Sequence, residues 1–129
     1  MSFYPKTCTG NLKPWEYLPA AAGTYEAGQM LNISGGKLVA ISAVCKTTPA
    51  YLCMADVTVA DGENLPVAKV VPETIFVTTL SAAAAGAALG TLLEISAGGK
   101  QVDNAAAGTF EVVYVAGTAA GDEVHGRFK

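Results

Sequence analysis

The chain writes nearly the same phrase twice: residues 28–37 read GQMLNISGGK and residues 90–100 read GTLLEISAGGK. Each phrase alternates apolar and polar side chains into a Gly-Gly pair. An alternation of period two closed by residues that accept positive φ predicts a β-hairpin. Leu31 and Ile33 then share one strand face, as do Leu93 and Ile95. Leu31, Ile33 and Ser34 match Leu93, Ile95 and Ser96 at an offset of 62. Lys37 and Val39 match Lys100 and Val102 at 63, because the second turn holds one more residue. Tyr51 matches Phe110 and Gly62 matches Gly121, both at 59, so a shorter loop in the second half absorbs the slip. Two β modules over 23–71 and 85–129 follow, with Ile33 and Ile95 in matching buried positions. The alternative is two hairpins that look alike because Gly-Gly turns look alike.

The rest of the chain supports a β reading. Strands are predicted over 37–44, 51–59, 67–71, 74–80, 109–115 and 122–128, with a turn at Asp61-Gly62-Glu63-Asn64 and with Pro66 and Pro72 flanking the 67–71 strand. Ser81 before the alanines of 82–88 predicts a short capped helix or, given Gly86, a coil. Strands of this length with turns every eight to twelve residues predict a mostly β fold, a small β-barrel or a β-sandwich. Residues 1–22 differ, with Pro5, Pro14 and Pro19, the aromatics Phe3, Tyr4, Trp15 and Tyr17, and no sustained period. They are predicted to form an extended arm before a single β domain over 23–129.

Composition narrows the function. A chain of 129 residues can bury roughly two thirds of its unfolded surface without a disulfide or metal staple. Charged residues are only 15% of the sequence, the formal charge is -3, and the eight Lys and Arg are scattered, so no cationic footprint for nucleic acid or anionic lipid is expected. Cys8, Cys45 and Cys53 stand in no metal or redox spacing and predict reduced thiols in a cytoplasm-like compartment. The first residues lack the pattern of a signal peptide, and the apolar run over 82–93 is shorter than a bilayer needs, so neither secretion nor a membrane is expected.

Chemical signals are few. His125 is the only histidine, with no nucleophile motif beside it, and is expected at the surface or an interface. Asp56, Asp61 and Glu63 lack calcium-loop spacing and read as turn carboxylates. Each Gly-Gly-Lys opens a return strand rather than the helix of a phosphate loop. Met54 and Cys53 read as packing inside a strand. No enzyme activity, cofactor or metal is predicted. Binding is assigned to the arm, where Phe3, Tyr4, Pro5, Lys6, Trp15 and Tyr17 combine aromatic anchors with a stiff extended backbone able to add to a partner's sheet. The alternative is that these aromatics fold back onto the domain's own core.

Residues 20–42, AAAGTYEAGQMLNISGGKLVAIS, and residues 108–128, GTFEVVYVAGTAAGDEVHGRF, resemble the opening and closing segments of the small head decoration, or capsid cement, proteins of tailed bacteriophages. The likeness covers residues 20–128. It implies a protein of the virion exterior, made in the host cytoplasm, that binds the major capsid protein of an assembled shell, often as a homotrimer, and stabilises it against internal pressure. The doubled module departs from the simplest members. A phage tail or fibre module and a small-ligand-binding β-barrel are the other classes considered. The abundant small side chains suit tight packing better than a ligand cavity.

Overall fold

The computed structural model describes residues 2–7, 15–72, 74–103 and 108–129. Among them are thirteen strands and no helix. They are β1 (Tyr4–Thr7), β2 (Glu16–Pro19), β3 (Gly23–Tyr25), β4 (Met30–Ser34), β5 (Lys37–Ala40), β6 (Tyr51–Cys53) and β7 (Val57–Val59), then β8 (Asn64–Lys69), β9 (Ile75–Thr79), β10 (Leu92–Ile95), β11 (Val102–Asp103), β12 (Phe110–Val115) and β13 (Glu123–Phe128). One sheet has the order β1-β9-β13-β12-β10-β11, a second β2-β8-β6-β4-β5, and β3 pairs with β7. The fold is an all-β sandwich. Each large sheet curls until its ends touch at one parallel bridge, Ala20 to Leu38 in one and Leu80 to Val102 in the other, without closing into a barrel.

Without β1, the two orders are the same: β9-β13-β12-β10-β11 repeats β2-β8-β6-β4-β5. The registers repeat too. Tyr17 lies opposite Pro66 as Val77 lies opposite His125, and Tyr51 lies opposite Lys69 as Phe110 lies opposite Phe128. Leu31 pairs with Tyr51 as Leu93 pairs with Phe110. Turn chemistry follows the same copy. Gly62 N donates to Ala20 O at 2.8 Å and Gly121 N donates to Leu80 O at 2.8 Å, both glycines having φ near +87° or +86°. Glu63 and Asp122 each accept from the backbone N–H three residues earlier.

The modules begin earlier than the sequence reading placed them, because β2 is the counterpart of β9 and the first module starts at Glu16. The return strand also shifts: Ile33 faces Leu38 and Ile95 faces Val102, an offset of 64 for the partner rather than 63. The second turn is longer, closed by Ser96 N donating to Gln101 O at 2.9 Å, so Lys100 precedes the return strand instead of opening it. Pro66 lies inside β8, which starts at Asn64. Residues 81–90 are turns, with Gly86 at φ +82°, a conformation that no α-helix contains.

Two clusters of buried side chains hold the layers. Leu31, Leu38, Cys53, Leu65 and Val67 pack with Tyr25 and Val59 of the small β3-β7 sheet. The larger cluster joins Leu93, Ile95, Phe110, Val112, Val124 and Phe128 of the second module to Met30, Leu52 and Val70 of the first. The first module's sheet therefore buries both faces, which is why Met30 and Leu31, neighbours on β4, are both fully buried. Such burial contributes roughly 1.5–3 kcal/mol per large side chain.

The arm is part of this sandwich. β1 adds antiparallel to β9, with Tyr4 opposite Val77 and Pro5 opposite Phe76, and Phe3 N donates to Gly28 O at 3.0 Å. Phe3 is fully buried, its ring 6.5, 6.1 and 6.3 Å from those of Phe76, Phe110 and Phe128. Pro5 and Pro19 fit because β1 and β2 are edge strands, where a missing N–H is tolerated. Residues 8–14, with Cys8 and Pro14, lie outside the described residues.

Candidate functional site

The six arm residues divide by environment. Phe3 was expected as a partner anchor and is a core residue, because four aromatic rings gathered at one end of the second module exclude water better than a free tail can. Pro5 is half-buried in a small cleft with Leu52, Met54 and Phe76. Lys6 is exposed at the surface, where its Nζ reaches His125 Nδ1 at 3.1 Å. Tyr4, Trp15 and Tyr17 display 41%, 50% and 64% of their surface, so these three are the exposed aromatics of the described part of the arm. Trp15 immediately precedes β2, and Tyr17 lies on that strand, two residues away and therefore on the same face.

β2 is one edge of the five-stranded sheet, and among the described residues it forms a ladder with β8 alone. Its inward residue Leu18 lines a groove of about 200 Å³ together with Ile33, Leu38 and Tyr51. Ile33 is 57% exposed there, whereas Ile95 is 1% exposed, so the expected matching burial does not hold. The reason is what covers each edge. Residues around Cys45, in the longer loop of the first module, bridge to Ile95: Cys45 N donates to Ile95 O at 2.9 Å, and Ile95 N to Cys45 O at 3.0 Å. Among the described residues no such bridge reaches Ile33. Sequence pattern alone could not separate the two isoleucines, since both alternate in phase with a buried leucine.

The remaining polar candidates have structural partners. His125 is 7% exposed, not a surface residue. An ammonium can only donate, so Lys6 Nζ donates to Nδ1, and Nε2–H donates to Glu123 Oε1 at 2.8 Å. The imidazole ties β1 to β13, with Tyr114 packed 4.9 Å away. Asp61 pairs with Lys37 at 2.7 Å, Asp56 accepts from Ala27 N at 2.8 Å, and Glu63 accepts from Ala60 N. These three carboxylates hold separate turns. Among the described residues no group of three or more His, Cys, Asp or Glu side chains could hold a metal.

Of the two described cysteines, both free, Cys53 is buried and burial pushes its thiol up. Burial pushes Cys45 up as well, but contacts with Thr47 and with Asn32 Nδ2 at 3.7 Å outweigh it and hold the thiol below its ordinary value. Glu94, beside it in charge, is 3% exposed, and its Oε2 has no partner among the described residues. No described helix is long and apolar enough to cross a membrane. The chemistry that these side chains offer is contact: an edge strand with two exposed aromatics and an adjoining apolar groove. Comparison with protein-family models finds no match, and comparison with curated proteins finds no significant similarity.

Proposed function

We propose that this protein is a structural docking module that decorates the outside of an assembled bacteriophage head, with the major capsid protein as partner and a homotrimer as its working form. The observation that carries the reading is the exposure of Trp15 and Tyr17 side by side at an edge strand of a tightly packed, doubled β scaffold. Large aromatic rings presented on a rigid edge suit a protein surface better than solvent. A shell offers many equivalent seats, so an oligomer gains through effective concentration what each contact lacks. The resemblance of residues 20–128 to decoration proteins supplies the identity of the shell. The role needs no catalytic group, cofactor, nucleic acid or lipid.

The test is co-sedimentation with undecorated phage shells, alongside sedimentation velocity of the free protein. Trp15→Ala and Tyr17→Ala should each weaken shell binding roughly thirtyfold, corresponding to hot-spot losses of about 2 kcal/mol, while melting within a few degrees of the parent. Wild-type protein that remains in the supernatant at micromolar concentration would sink the proposal. End-to-end polymers without shell binding would favour a tail or fibre role instead.

A further inference from the structure

We infer that the β2 edge and the groove beside it accept an extended strand of a partner protein, one that inserts a single aromatic side chain between β2 and β5. That the partner is a shell subunit rests on the function proposed above; the acceptor geometry does not. The second module contains the template. The outer edge of β9 is occupied by β1, antiparallel, with Tyr4 opposite Val77, Pro5 opposite Phe76 and Phe3 driven into the core. Because the two modules share strand order and register, Val77 corresponds to Tyr17 and Phe76 to Glu16. An incoming strand on β2 therefore lies opposite Glu16 and Tyr17, and its aromatic residue falls opposite Leu18, over the groove formed with Ile33, Leu38 and Tyr51.

Several features make this seat open and reversible, where the other is permanently filled. The Phe76, Phe110 and Phe128 rings that enclose Phe3 are replaced in the first module by Glu16, Tyr51 and Lys69, so an empty groove is rimmed by polar groups that tolerate water. Inward charges on an edge strand also discourage indiscriminate sheet-to-sheet pairing. Yet Ile33 lines the seat while 57% exposed, and Trp15 and Tyr17, each at least half exposed, stand on the other face of the same edge. At about 200 Å³ the groove is below the 300–1,000 Å³ usual for small-molecule sites, and it suits one side chain delivered by a backbone that pairs with β2.

The probe is the molecule's own solution to the problem: a capped synthetic peptide of residues 2–7, SFYPKT, added to full-length protein. To keep it from exchanging with β1, the protein carries Tyr4→Cys and Val77→Cys, whose directly opposed positions can form a disulfide that locks β1 on β9. Trp15, the single tryptophan, reports binding by fluorescence. A saturable change at one equivalent is expected, at least tenfold weaker for the peptide with Ala in place of its Phe, and at least tenfold weaker for Ile33→Asp protein that melts like the parent. No saturable change, a change indifferent to Ile33→Asp, or a free protein already dimerised through a buried Trp15 overturns the inference. Shells that bind Ile33→Asp as well as wild type also overturn it, leaving the shell reading intact. Peptide binding with no shell binding upholds the acceptor edge and removes the shell as partner.

Discussion

The two Gly-Gly-Lys turns have nearly the same sequence and opposite surroundings. Gly35 and Gly36 lie in solvent, where an added Cβ would meet nothing. Gly99 is buried: Met30 N donates to its carbonyl at 2.7 Å, Gly98 N donates to Ile41 O at 2.7 Å, and a Cβ on Gly99 would strike the Met30 carbonyl oxygen. The difference extends to the whole module. The second has its open side closed by Phe3 and by the Cys45 loop, while among the described residues no segment closes the same side of the first. A repeated sequence thus reproduces strand order and register, and the segments that lie against each copy decide what is core.

The sharpest way to break this contrast is at Phe3. Phe3→Ala should cost about 3–5 kcal/mol in urea unfolding, as for a buried aromatic, whereas Trp15→Ala should change stability by about 0.5 kcal/mol or less. Equal, small effects would show that the second module does not need its plug. Next come the paired isoleucines. Ile95→Ala should cost about 2–5 kcal/mol and Ile33→Ala about 0.5 kcal/mol or less, and similar losses would mean that the first groove is covered after all. At the turns, Gly36→Ala carries only the conformational cost of φ +77°, about 1 kcal/mol. Gly99→Ala adds the clash with Met30 and should lose about 2–4 kcal/mol; calorimetry of both proteins checks the ratio.

Two smaller effects sharpen the comparison. Glu111 occupies the position of Leu52, which is buried between the layers, but Glu111 faces outward, where the hydrogen bond from Arg127 Nε at 3.0 Å holds its carboxyl below the usual carboxylate value, with Lys129 assisting. A carboxylate depressed in the folded state stabilises above its ordinary value, and that contribution is lost as pH falls through the depressed one. Acid melting curves should therefore flatten slightly in Glu111→Gln, and an unchanged slope would remove this pair from the account. Smallest are the turn lysines. Lys37 pairs with Asp61 at 2.7 Å and Lys100 with Glu26 at 2.8 Å, both near the surface, so each Lys→Ala should cost about 0–1 kcal/mol and less in high salt. Here the two turns should behave alike.

By itself the sequence determined the β class, the two hairpins, the turn at Gly62 with its counterpart at Gly121, and the doubled pattern, because alternation and positive-φ glycines are local properties. It could not determine that residues 4–7 and 16–19 are edge strands. Short segments with prolines carry no period, and their pairing is stabilised only by β9 and β8, distant in sequence. Nor could it separate Ile33 from Ile95, or place His125 in the interior, since burial depends on which segment lies opposite in space. Only the tertiary structure decided that Phe3 is core while Trp15 and Tyr17 remain outside. A hydrophobic side chain leaves water wherever a partner surface is presented, and the chain presents one to Phe3 among three other phenylalanines.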